Sequence, residues 1–159
     1  MQEMSAKVIF IVFLLCFFAT QTNFAQTLPT KIKNHLNKNY KGWKLSPSTK
    51  NCAWDVNKGF VSGYFNGDKK RDYAVKITRG KKGYVIAFLD LRNGYKTFVI
   101  HNTDAEDVTY RSIFIQKKGK IVEYEGKEIR LKYDAFADFR CESDVGGFHF
   151  YNNGKFIAT

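Results

Sequence analysis

The chain has 159 residues, with 26 Lys and Arg against 15 Asp and Glu, for a formal net charge of +11. Its longest apolar run, residues 8–19 (VIFIVFLLCFFA), is twelve residues long, well short of the roughly 20 that a bilayer-spanning helix needs. A single domain of ordinary size is expected; membrane spanning, multidomain architecture and a cytosolic role are disfavoured.

Lys7 precedes the apolar run and the polar stretch TQTNFAQ follows it. That is the arrangement of a secretory signal peptide, with a cut expected near Ala25 and a secreted or periplasmic destination. Removing residues 1–25 takes away one acid and one base, leaving a single β-rich domain over 26–159 that still carries +11. Cys16 would depart with the leader; lipid attachment there needs small residues before it, and Phe13, Leu14 and Leu15 stand in their place. Cys52 and Cys141 then remain, an even count in an oxidising compartment. A disulfide between them is expected in preference to a nucleophilic thiol served by His35, His101 or His149.

Residues 28–42 place Leu28, Ile32, Leu36 and Tyr40 four apart among lysines and asparagines, the stripe of an amphipathic helix. Pro29 suits its first turn and Gly42 its end, with His35 beside the stripe at a half-buried edge. From Phe60 onward the period is two. YAVKITR (73–79) alternates Tyr73, Val75 and Ile77 against Lys76 and Thr78, and YVIAFL (84–89) is apolar throughout, as in a central strand. Further strands are expected at 95–101, at 108–116 in a hairpin with 121–125, at 128–141 with Ile129, Leu131 and Tyr133 on one face, and at 148–158 around the turn NNG. Turn signals recur about every ten residues, and both prolines precede residue 48. The expected fold is mainly β (α+β), an antiparallel meander or sandwich-like sheet with one N-terminal helix. Trp43, Trp54 and Tyr40 are expected to pack that helix onto the sheet, in preference to forming a carbohydrate-stacking platform.

Residues 61–75, VSGYFNGDKKRDYAV, carry a chemical signature. They resemble the GDFNGDGxxDYAV loop of FG-GAP and VCBS-type repeats, in which a strand–loop–strand turn holds calcium. The resemblance puts Asn66, Asp68 and Asp72 at ligand positions, since Ca²⁺ wants six to eight oxygens converging on a tight loop. Tyr64 stands where the family's first Asp would be and Lys69 where its Gly would be, and Lys70 and Arg71 add cations beside the would-be ion. The favoured reading is therefore a hydrogen-bonded Asn66-Gly67-Asp68 turn whose acidic side chains cap backbone amides, with no cofactor expected. The stretches Leu28 to Trp43, Gly63 to Val75 and Leu131 to Phe156 together resemble exported bacterial single-domain proteins with one such loop. That resemblance implies a compact β domain and no particular activity. A β-propeller is excluded, because four blades of about 40 residues exceed the mature length.

Three knots of basic charge lie in or beside expected turns: Lys69-Lys70-Arg71, Arg79-Gly80-Lys81-Lys82, and Lys117-Lys118-Gly119-Lys120. If the turns share one end of the sheet, they merge into an anion-facing surface. Outside the cytoplasm the fitting partners are anionic envelope polymers, lipid head groups or an acidic protein; nucleic acid is disfavoured, for no nucleic-acid motif appears. No HExxH, GxSxG or P-loop is present. The acidic cluster Asp104-Ala105-Glu106-Asp107 reads as a solvated connector. His101 and His149 sit on strands, where either could meet an Asp across the sheet. The sequence thus favours a non-catalytic exported binding module using basic turns. An inhibitor or immunity-type protein against an acidic enzyme, or a hydrolase using carboxylates or a histidine, stands as the alternative.

Overall fold

Leu28, Ile32 and Leu36 are buried on one stripe, and the helix that they imply forms as α1 (Thr30–Asn39). Pro29 stands at its N-terminal boundary, its carbonyl accepting the Lys33 N–H at 3.1 Å, so the missing proline N–H costs nothing. The computed structural model describes residues 27–47, 52, 59–141, 143 and 145–159. The apolar leader with Cys16, and Trp54, lie outside the described residues. Among the described residues no helix is long and apolar enough to cross a membrane.

The chain then forms β1 (Lys44–Leu45), β2 (Phe60–Gly63), β3 (Asp72–Arg79), β4 (Lys82–Leu91) and β5 (Gly94–Asp104). These make one antiparallel sheet in the order β1-β3-β4-β5, with β2 pairing the first half of β3 and β1 its second half. A short helix α2 (Ala105–Thr109) leads to β6 (Arg111–Gln116), β7 (Ile121–Tyr124), β8 (Lys127–Arg130), β9 (Ala135–Arg140), β10 (Gly146–Asn152) and β11 (Lys155–Ala158). The second sheet runs β11-β10-β9-β6, and β7 and β8 form a separate hairpin. The fold is mainly β and antiparallel, with a helix on its N-terminal side.

Alternation sorts the side chains into tiers. Tyr73, Val75, Ile77, Ile86 and Phe88 meet α1 on one face of the first sheet, with Tyr40 and Trp43 packed alongside. Ala74, Val85, Ala87 and Leu89 point the other way, onto Phe136 of the second sheet, and Phe65 joins them from a loop. Both faces of β3 and β4 are therefore covered, which is why residues 84–89 are apolar without interruption. Val122, Leu131 and Ala135 fill a third cluster with Phe148 and Phe150 packed against it, where the β7–β8 hairpin lies on the outer face of the second sheet.

Three local expectations are corrected. The stretch 128–141 is not one strand: β8 ends at Arg130 and β9 begins at Ala135. Leu131 and Asp134 between them turn inward, to the hairpin core and to backbone amides. The stretch 108–116 begins in α2, with Val108 buried against β4, and becomes a strand only at Arg111. β6 pairs with β9 and β7 with β8, so 108–116 and 121–125 are not a hairpin. Lys76, which alternates with the apolar residues of β3, is itself fully buried between the sheets and its ammonium donates to the Arg111 carbonyl.

Cys52 and Cys141 stand at disulfide distance, with Cα atoms 5.1 Å apart across 89 positions of sequence, inside the range that an unstrained bridge requires.

Candidate binding groove and a buried histidine–aspartate cluster

Asp134 is the post around which the groove is built. Its carboxylate accepts the backbone N–H of Tyr64 at 3.3 Å and of Lys118 at 3.1 Å, and lies 3.3 Å from the Lys117 ammonium. Its own N–H donates to the Tyr64 carbonyl at 3.2 Å. Burial alone would raise the Asp134 pKa, but these donors outweigh it and hold the carboxyl below its ordinary value. Two turns distant in sequence, 64–71 and 117–120, are thereby tied side by side.

The result is a cavity of about 440 Å³ lined by Tyr64, Gly67, Lys69, Lys118, Tyr133 and Asp134. A neighbouring cavity of about 370 Å³ shares Tyr133 and adds Asn66, Arg130, Lys132, Tyr151 and Asn152 to its walls. Tyr133 divides the two, with the Lys132 ammonium 5.4 Å from its ring centre. Gly67 permits this closeness. Its φ is +77°, and a Cβ there would lie 2.1 Å from a Tyr133 ring carbon.

Of the basic residues named from sequence, Lys69 and Lys118 line this groove and Lys117 anchors Asp134 beneath it. Lys70 is half-buried, and Arg71 and Lys120 are exposed close by in sequence. Lys81 and Lys82 are elsewhere. They lie just beyond Arg79, the far end of β3, which is seven residues from Asp72 or roughly 23 Å along an extended strand. The three knots do not share one end of the sheet; two of them converge and the third does not.

The 66–72 loop is a hydrogen-bonded turn. Asn66 Oδ1 accepts the Asp68 N–H at 3.1 Å, and Asp68 accepts the Lys70 N–H at 2.9 Å and the Asn66 side-chain amide at 3.1 Å. Asp72 points inward, fully buried, and caps the N–H groups of Phe65 at 2.7 Å and Asp90 at 2.9 Å. Burial dominates those hydrogen bonds and pushes its pKa up to about 6. Asn66, Asp68 and Asp72 thus spend their oxygens on the chain itself.

A second constellation lies between the sheets. Strict alternation along β5 would put His101 on the same outer face as Val99, which is 53 % exposed. The pairing with β4 slips between Val85 and Ile86, so that Ile100 is an extra residue, a β-bulge. The bulge turns His101 inward beside Phe98 and Ile100, toward the second sheet. There Asp138 (0 % exposed) on β9 and His149 (4 % exposed) on β10 share the inner face as diagonal cross-strand neighbours. His101 Nε2 lies 2.9 Å and His149 Nε2 3.9 Å from Asp138 Oδ2. Neither contact is aligned as a hydrogen bond, and Asp138 Oδ2 and His149 Nε2 have no hydrogen-bond partner among the described residues. Asp138 Oδ1 faces Arg111 at 3.4 Å, and Arg111 is gripped by Asp107 at 2.9 Å. Burial pulls the His149 pKa down to about 4, so its ring is neutral near neutral pH.

The sequence named His101 and His149 but had no signal for the bulge that unites them with Asp138. His35 is a half-buried edge residue, meeting Phe88 edge-on at 5.5 Å. Trp43 packs on the helix side of the core and donates to Asn37 Oδ1 at 2.8 Å. Asp104 and Glu106 are exposed, whereas Asp107 is committed to Arg111. No known family model, curated protein or solved structure matches this chain.

Proposed function

We propose that this domain is an exported, non-catalytic module that binds an acidic polysaccharide of the cell envelope along the groove divided by Tyr133. The carrying observation is that Lys69, Lys118, Arg130 and Lys132 wall two adjoining cavities whose shared residue is an aromatic ring. A glycan bearing carboxylates asks for three kinds of group: cations for its acids, aromatic faces for its rings and amides for its hydroxyls. Tyr64, 44 % exposed, and Tyr133 supply the faces, while Asn152 supplies an amide. The net charge of +11 adds long-range attraction for any polyanion. The Cys52–Cys141 pair at disulfide distance suits an oxidising compartment outside the cytoplasm.

The test is titration calorimetry with an oligogalacturonate, at low salt and again at about 0.15 M, where the Debye length has shrunk to about 8 Å. Binding that weakens severalfold with salt, and that a neutral dextran of similar length does not reproduce, supports the reading. Equal binding of the neutral and acidic glycans, or of neither, overturns it.

A further inference from the structure

We propose that His101, Asp138 and His149 form a binding site for a divalent transition-metal ion of the zinc class, bridging the two sheets. The site shares no residue with the groove and stands whether or not the domain binds a glycan.

The three side chains offer two imidazole nitrogens and one carboxylate oxygen, all within 4.8 Å of one another. Ligand atoms about 2.0–2.1 Å from a tetrahedral zinc ion lie roughly 3.3 Å apart. The separations of 2.9 Å and 3.9 Å about Asp138 Oδ2 bracket that value, and the two imidazole nitrogens, within 4.8 Å of each other, must close by up to about 1.5 Å to seat a tetrahedral ion. The orphaned atoms give independent support. A buried carboxylate oxygen and a buried imidazole nitrogen left without hydrogen bonds are costly. Here the two lie 3.9 Å apart, and an ion placed between them satisfies both.

The surroundings are those of a metal ligand set. Arg111 faces Asp138 Oδ1, the oxygen other than the one between the histidines, and Asp107 in turn fixes Arg111, so the ligating carboxylate is oriented from behind. The charges of Arg111 and the buried Lys76 offset those of Asp107 and Asp138. Affinity must then rest on the imidazoles, which selects zinc, nickel or cobalt over calcium or magnesium. His101 stands at the rim of the cluster, its side chain 35 % exposed, whereas Asp138 and His149 are buried.

The experiment uses the protein free of any polyhistidine tag and stripped with EDTA. Calorimetric titration with Zn²⁺ should give one ion per chain and a raised Tm, and Co²⁺ should give the intense visible bands of a tetrahedral site. His101→Ala and Asp138→Asn should each weaken zinc affinity about tenfold or more, while Ca²⁺ in place of Zn²⁺ leaves Tm unchanged. His101 is on the rim, so its variant remains informative if Asp138→Asn fails to fold. Absence of stoichiometric Zn²⁺ binding by the unaltered protein, or affinity undiminished in His101→Ala, overturns the proposal.

Discussion

The Asp134 carboxylate accepts the Lys118 backbone N–H at 3.1 Å and so fixes a basic turn beside the loop that begins at Tyr64. One buried acid thus converts two separate clusters of positive charge into one concave surface. Asp134→Asn keeps the shape but loses the charge that three donors share, and should lower stability by about 1–3 kcal/mol in urea denaturation. It should weaken oligogalacturonate binding as well, because the turns lose their common post. Because its folded pKa lies below the ordinary value, the contribution of Asp134 is present above the unfolded pKa of about 4 and lost as pH falls through the folded one. An Asp134→Asn variant with unaltered stability at pH 7 would refute its structural role.

Gly67 makes a second prediction. An alanine there suffers both a left-handed φ of +77° and a Cβ 2.1 Å from the Tyr133 ring. Gly67→Ala should cost at least about 1 kcal/mol and displace Tyr133, merging the two cavities. A crystal structure of the variant with Tyr133 in place would contradict this.

Much of the architecture was legible from residue order, and its exceptions have physical causes. The four-residue spacing of Leu28, Ile32 and Leu36 gave the helix, and the apolar run 84–89 a strand covered on both faces. The burial of Lys76 was not legible, because alternation tells which residues share a face, not whether the opposite face meets water or a second sheet. The convergence of Lys69 with Lys118 depends on Asp134, an acid whose sequence context is that of an ordinary strand residue. His101 was legible as a strand histidine, but its inward turn needs the extra residue Ile100, and a bulge leaves no periodic trace. The exclusion of Lys81 and Lys82 from the groove follows from the length of β3.

Asp72 gives a pH signature. Its carboxyl is raised from 3.8 to about 6 in the folded protein by burial. Its contribution to stability is therefore fully present below pH 4 and lost as pH rises through 6, by at most about 3 kcal/mol. His149, lowered from 6.5 to about 4, acts oppositely, losing stability as pH falls across the same window. The overall slope is the difference of the two, so the discriminating measurement is residue-specific. The Asp72 carboxyl carbon should titrate near 6 by NMR, and a midpoint near 4 would show that its two backbone amides outweigh burial.

Cys52 and Cys141 close a loop of 89 positions. In the chain-entropy model such a bridge stabilises by about 4–5 kcal/mol. Mass labelling of the unreduced protein should find neither of these thiols free, and Cys52→Ser with Cys141→Ser should lower Tm markedly. Free labelling of both in the folded protein would remove the bridge.

The central claim is that the Tyr133 groove, and not basic charge in general, receives the acidic glycan. Chemical-shift mapping during addition of an oligogalacturonate tests it most directly. The expected changes concentrate at Gly67, Lys69, Lys118 and Tyr133, and disappear when Lys69, Lys118, Arg130 and Lys132 are replaced together by Gln. Changes centred on the turn at Lys81 and Lys82, or spread evenly over the exposed lysines, would contradict it.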